Sequence, residues 1–222
     1  MADPASFWNE RYQREDYLFG TEANDFIRAV TPVAAPGMRA FAPADGEGRN
    51  GVHLARLGYE VSSIDASNLA VDKAFALAES AGVTLNARAG DMLEEDWPEN
   101  HYDLVVVCFM HFMPDDHDVF MGKIRQCLKP SGLLVMENYT VDQIPLTSGG
   151  PKKPEMLLTP DRVRADLAAY DIAFMQEIRR HLTEGPRHQG IAATIQVIAR
   201  KKAQTSVETC LLYTSDAADD VH

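Results

Sequence analysis

Hydrophobic positions along the chain follow two alternating rhythms. Short runs that are apolar throughout, or apolar at every second residue, predict strands over 38–42, 59–65, 83–91, 102–110 and 133–139. Between them, apolar residues spaced three and four apart predict helices over 50–58, 67–82, 115–132 and 159–170. The punctuation agrees with the periods. Gly58 and Gly82 stand where helices stop and Ser67 where one begins. Asp115 and Asp116 suit the positive end of the next helix, and Pro130-Ser131-Gly132 reads as its stop. The run YDLVVVCFM (102–110) is nearly continuous in apolar residues, as expected of a parallel strand buried on both faces. After the last helix, strands over 171–182 and 191–201 flank TEGPRHQG and predict an antiparallel hairpin. The expected fold class is α/β: one sheet of seven strands, mostly parallel, closed by that C-terminal hairpin, with helices on both faces.

Ligands of such sheets bind beyond the carboxyl ends of the strands. Gly46-Glu47-Gly48-Arg49-Asn50-Gly51 follows the first strand and spells G-x-G-x-x-G, a weak signal by itself. Asp65 lies 19 residues after Gly46, at the end of the second strand. A carboxylate there accepts both ribose hydroxyls of NAD or of S-adenosylmethionine. Three features favour the second ligand. No second domain or second Gly loop is visible. The Ala89–Met92 stretch (AGDM) places an acid after the third strand, where an adenine amino group can be read. The terminal hairpin is foreign to most dinucleotide folds.

Several short motifs then recur in a telling order: FWNERY, YLFGTEANDF, ADGEGRN, IDAS, GDM, CFMHFMP, ENYT, SGGP, LLTP and EGPRHQG. In these the chain, from about Phe7 to Lys201, resembles class I S-adenosylmethionine-dependent methyltransferases of the tellurite-resistance and thiopurine methyltransferase group. The resemblance implies a Rossmann-like methyltransferase sheet with S-adenosylmethionine as cofactor. It implies that Gly46, Glu47 and Gly48 face its methionine part, with Asn50 also among the cofactor-binding residues. Asp65 then binds the ribose hydroxyls, with Ala66 also among the cofactor-binding residues; Asp91 and Met92 hold the adenine, and Cys108 and Phe109 flank the sulfonium. Residues 1–30 become a lid carrying Arg11, Tyr17 and Gly20; the alternative is an amphipathic helix with Phe7, Trp8 and Tyr12 as core. Two departures stand out. Ala42 and Ala44 occupy the places of the usual acid and first loop glycine, and Pro43 removes a backbone donor at the same turn.

Composition narrows the classes further. With 222 residues, 45% hydrophobic and 24% charged, the chain fits a single globular domain. No apolar run approaches the ~20 residues of a membrane span, and no apolar signal segment opens the chain. Cys108, Cys127 and Cys210 show no metal-ligand spacing, so a reducing cytoplasm and no metal are expected. The net charge of −12 argues against a nucleic-acid partner. The stretch TCLLYTSDAADD (209–220) continues no earlier pattern and resembles the in-frame translation of a transposon-end adapter from sequencing libraries. The expectation is a domain over 1–204, its natural end near Lys201 or Lys202, and a non-native tail over 205–222. A genuine acidic tail is the alternative. Four acidic residues and no Lys or Arg lie there, which leaves −8 of the −12 on the domain.

Methyl transfer from a sulfonium mainly requires alignment and exclusion of water. A base is needed only when the acceptor must lose a proton. His111, after the fourth strand, and His188, in the hairpin loop, are the candidate catalytic residues. His188 matches an active-site histidine of tellurite-type relatives, with Arg187 beside it in place of a following arginine. His117 is expected at the surface. Asp115 and Asp116 read as a helix N-terminus rather than a Mg²⁺ site. The Gly/Pro-rich loop 147–160 is expected to wall the acceptor pocket. The function expected is methyl transfer to a small soft nucleophile by a monomer or weak homodimer. An O- or N-methyltransferase of a small metabolite, or a non-catalytic S-adenosylmethionine-binding module, are the alternatives.

Overall fold

The computed structural model describes residues 3–203. The tail expected from residue 205, with Cys210, lies outside the described residues. Seven strands form one sheet: β1 (Arg39–Pro43), β2 (Glu60–Asp65), β3 (Asn86–Ala89), β4 (Tyr102–Cys108), β5 (Leu128–Tyr139), β6 (Tyr170–Thr183) and β7 (Gln189–Lys201). Their order is β3-β2-β1-β4-β5-β7-β6. All neighbours from β3 to β5 are parallel, and β7 runs antiparallel to both β5 and β6. The expected fold class is the observed one.

The chain builds outward from β1 through β2 to β3, then returns to lay β4 on the other side of β1. The switch point therefore lies between the carboxyl ends of β1 and β4, where the Gly loop and Cys108 emerge. Helices α3 (Arg49–Arg56), α4 (Asn68–Ser80), α5 (Pro114–Cys127) and α6 (Pro160–Asp166) cover the faces. Strand β4 shows why its sequence is apolar at every step. Val105 and Val107 enter one core with Phe120 and Ile124 of α5, while Leu104 and Val106 enter the other with Val52 and Leu54 of α3. Each such buried aliphatic side chain contributes about 1.5–3 kcal/mol. Helix α4 starts where expected, with Ser67 Oγ accepting the Ala70 N–H at 3.1 Å.

Three details depart from the pattern reading. Helix α5 ends at Cys127 and β5 starts at once, so Pro130-Ser131-Gly132 lies inside the strand, with Ser131 at φ 63°. Fully buried Leu128, opposite Tyr102, holds the strand there against the turn signal. Strand β3 is only four residues long. An N-terminal helix α1 (Pro4–Tyr12) is followed by a second, α2 (Asp25–Val30), which the periodicity does not announce. Among the described residues, no helix is long and apolar enough to cross a membrane.

Candidate active site

Beyond Pro43 the chain reverses direction within a few residues. Ala44, Gly46 and Gly48 all take left-handed φ angles, 54°, 59° and 89°. Gly48 has a second reason to be glycine: a Cβ there would stand 2.7 Å from the Ala74 Cβ. Helix α3 starts at Arg49, and its first amides are satisfied from outside. Asp45 accepts the N–H of Gly51 at 2.7 Å and of Asn50 at 3.3 Å. Burial pushes the Asp45 carboxyl up to about 7, against the pull of the Gly51 amide. Asp65 is likewise built in: it accepts Gly46 N–H and Ser67 N–H, each at 2.9 Å. Its burial raises it to about 6, with the two amides opposing the shift.

The segment after α1 lies over this loop. Tyr12 is buried, and a Cβ on Gly46 would stand 2.6 Å from its hydroxyl. Glu47 accepts the Leu18 N–H at 2.7 Å and pairs with Lys73 at 2.9 Å. Asn9 accepts from the Ser67 hydroxyl at 2.6 Å, and Tyr17 donates to the Lys73 carbonyl at 3.2 Å. Gly20 packs on Gly185 in the β6–β7 loop, and Arg187 N–H reaches the Leu18 carbonyl at 3.3 Å. These contacts involve three of the residues expected at the cofactor. Glu47 fastens the N-terminal segment through the Leu18 N–H and Lys73. Asn50 spends its side-chain oxygen on the Asn24 N–H at 3.0 Å. Arg11 is half-buried, stacked 3.3 Å over the Phe7 ring and donating to the Phe7 carbonyl. The core alternative for α1 also fits only in part, since Phe7 is exposed and Tyr12 alone is deeply buried.

Past β4 the backbone is strained. Phe109 takes φ 52°, rare for a bulky residue, and its N–H is held by the Glu137 carbonyl at 2.8 Å. Its ring stacks on Tyr139 at 4.5 Å and meets His188 edge-on at 4.6 Å. His111 stacks on Tyr139 at 5.5 Å, and Phe19 of the N-terminal segment lies 4.5 Å from His188. The loop 147–160 closes the cluster. His111 Nδ1 is 3.2 Å from the Met156 carbonyl, and a Cβ on Gly149 would stand 2.5 Å from the Tyr139 hydroxyl and 2.9 Å from the His188 ring. Burial lowers His111 to about 4. Burial, and then the charge of Arg49, lower His188 to about 3. Both imidazoles are therefore neutral near pH 7. His111 Nε2 and His188 Nδ1 are buried without a partner. Burial also raises the Cys108 thiol. His117 is no surface residue: it is 7% exposed and lies 2.8 Å from Asp166 on α6, which its helix packs against.

Beneath the cluster lies a charged network that the sequence does not announce. Glu137, fully buried on β5, receives Arg180 Nε at 2.8 Å, Thr194 Oγ1 at 2.8 Å, Gln196 Nε2 at 2.9 Å and Asn24 Nδ2 at 2.6 Å. Glu184 receives Arg180 Nη2 at 2.6 Å and Asn24 Nδ2 at 3.2 Å. Arg49 joins from the Gly loop, its Nη1 2.7 Å from Glu184 Oε2. Apart from Arg180 and Glu184, four positions apart, the partners are separated by 43 to 160 positions and carry no local signal.

Residues 44–132 match the family model of a methyltransferase domain. Over those residues the chain carries the sequence pattern of a methyltransferase domain. Its cofactor is S-adenosylmethionine. Solved structures share the fold at low identity. One concerns conversion of a disulfide bond into a thioacetal group during echinomycin biosynthesis, at 16% identity and TM-score 0.73, over 91% of this chain and 94% of that one. Another is an S-adenosylmethionine-dependent methyltransferase from Methanosarcina mazei, at 15% identity and TM-score 0.65, over 82% and 100%. A third is TehB from Haemophilus influenzae, at 16% identity and TM-score 0.62, over 90% and 67%. No curated protein sequence matches.

The residues of this methyltransferase domain suit the cofactor. The loop from Gly46 lies under the Tyr12 hydroxyl, and buried Asp65 presents its carboxylate one strand away. Ala66 is half-buried beside it. Asp91 is exposed, its carboxylate accepting the Leu93 N–H at 2.9 Å. Met92 belongs to the core with Phe41 and Trp97. Cys108 and Phe109 end the strand across the switch point. The structure thus brings the Gly loop, Asp65, Cys108, Phe109, His111 and His188 to one edge of the sheet, while Arg11 packs on Phe7 within α1.

Proposed function

We propose that this methyltransferase methylates a small soft nucleophile, a thiol or a selenium or tellurium oxyanion, within the tellurite-resistance and thiopurine group. Bound S-adenosylmethionine supplies an electrophilic methyl group on a positive sulfur. Gly46, Gly48 and Asp65 hold the cofactor, with Asp91 and Met92 toward its adenine and Cys108 and Phe109 toward its sulfur. Phe109, Tyr139, Phe19 and loop 147–160 exclude water around the acceptor, which favours attack on a cation.

The observation that carries the acceptor class is the weakness of the available bases. His111 and His188, at about 4 and about 3, are poor proton acceptors for phenols or amines. An acceptor that is already anionic, or acidic enough to ionise in water, needs only orientation from a neutral imidazole. The free thiols of half-buried Cys108 and buried Cys127 and the acidic domain support a cytoplasmic enzyme of small molecules rather than of nucleic acid. The test is kinetic. With a thiol acceptor, His111→Ala and His188→Ala should each lower kcat by less than about tenfold, against the 10²–10⁴ that a required base contributes. A loss of a hundredfold or more in either variant would assign that histidine as a general base and move the acceptor to the oxygen or nitrogen class.

A further inference from the structure

His188 needs a companion if the acceptor carries charge, and the adjacent Arg187 does not supply it. Arg187 is exposed, and only its backbone N–H touches the N-terminal segment. The guanidinium that reaches this side belongs to Arg49. It is the first residue of α3 and is 6% exposed. From the Gly loop it extends to Cys108 Sγ at 3.7 Å and to Glu184 Oε2 at 2.7 Å. The second approach is close but misaligned, so buried Nη1 makes no hydrogen bond. An ion pair held by proximity and not by an aligned hydrogen bond is the weaker kind, and a ligand that offered Nη1 an aligned acceptor would compete with it.

Glu184 does not depend on Arg49. Arg180 Nη2 donates to it at 2.6 Å and Asn24 Nδ2 at 3.2 Å. Arg49 can therefore turn to a ligand without stranding a buried carboxylate. Near it lie the neutral Cys108 thiol, Tyr139 phenol and imidazoles of His111 and His188, and the Glu184 and Glu137 carboxylates there are paired with Arg180. Cys108 directly precedes Phe109, whose ring touches both Tyr139 and His188.

We propose that Arg49 sets acceptor specificity: it receives a small anionic group on the acceptor, a carboxylate or an oxyanion, in exchange for its contact with Glu184. This rests on the reading of the site as a methyltransferase pocket for a small acceptor. It assigns the substrate class as a soft nucleophile that carries a negative charge next to the reacting atom or on it. The cofactor's own carboxylate has the same chemistry, so the test must separate the two sources.

Calorimetry on the full chain with S-adenosylhomocysteine bound, titrated with 3-mercaptopropionate, 1-propanethiol and selenite, makes that separation. Arg49→Met should weaken 3-mercaptopropionate and selenite by about tenfold or more, as expected for loss of a charged hydrogen bond. Arg49→Lys should fall between. Glu184→Gln, which frees the guanidinium, should tighten both anions, and it carries the test if the Met variant fails to fold. Binding of 1-propanethiol and of S-adenosylhomocysteine should change by less than about threefold, within ordinary surface-substitution scatter. Equal losses for both thiols would overturn the assignment. So would weakened S-adenosylhomocysteine with unchanged anion binding, which would give Arg49 to the cofactor, or anion binding that ignores Arg49 altogether. If the anions bind through Arg49 but none is methylated, the assignment of Arg49 stands and the soft-nucleophile reading falls.

Discussion

Ala44 holds a left-handed φ of 54° where the turn leaves β1, a conformation that costs an L-residue roughly 1 kcal/mol or more and glycine almost nothing. The turn is enforced by its surroundings: Ala44 N–H is tied to the Ile64 carbonyl at 2.7 Å, and Asp65 pulls in Gly46. Ala44→Gly should therefore stabilise the fold by about 1 kcal/mol, raising Tm by about 2–4 °C for a domain of this size. A fall in Tm would mean that unfolded-state entropy outweighs the relieved strain. Both the departure at Ala44 and the loop itself are legible in the sequence, because turn chemistry is local. Phe109 is different. Nothing in CFMHFMP announces a left-handed phenylalanine, since that strain comes from Glu137 and Tyr139 on a neighbouring strand.

At the scale of elements, the N-terminal segment is held down by a few polar ties. Glu47 is the principal one, joining the Leu18 amide to Lys73. Glu47→Gln replaces two charge-assisted bonds with weaker ones and should let the segment open more often. Trypsin cleavage at Arg11 and Arg14 should then accelerate by about tenfold, the change expected for roughly 1.4 kcal/mol of local opening energy. An unchanged rate would show that Tyr12 and Leu18 packing alone sets the opening. The sheet and the helices over it follow from periodicity, which is why their order matches expectation. The exceptions have physical causes. Helix α2 is only six residues long, and although Asn24 is a sound N-cap, its side chain mainly serves Glu137 and Glu184. The α5–β5 junction is set by the burial of Leu128, which overrides the Pro-Ser-Gly signal.

Across the whole molecule, buried ionisable groups give the fold opposing pH dependences. Asp45 and Asp65 have pKa values raised to about 7 and about 6. Their contribution to stability is complete below the ordinary 3.8 and is lost as pH rises through those values. His111 and His188, lowered to about 4 and about 3, act the other way. Their contribution is complete above the ordinary 6.5 and is lost as pH falls toward the folded-state values. Between pH 4 and 7 the two pairs oppose each other. Asp45→Asn removes one acid-favouring contribution, so the variant should lose stability more steeply than the parent on acidification from pH 7 to 4. Urea denaturation across that range reads the slope, and parallel curves would contradict the burial of Asp45 as the cause. The Arg49–Glu184–Arg180–Glu137 network belongs to this scale too. It joins the Gly loop, β5 and the hairpin, and no sequence pattern could assemble partners so far apart along the chain.

Methyl transfer to a soft acceptor is tested most directly by S-adenosylhomocysteine release from the purified protein supplied with S-adenosylmethionine. The panel should include thiols, selenite, tellurite, phenols and amines. Two weak imidazoles in an aromatic cage predict turnover with thiols or the chalcogen oxyanions and none with phenols or amines. Turnover confined to phenols and amines would contradict that reading.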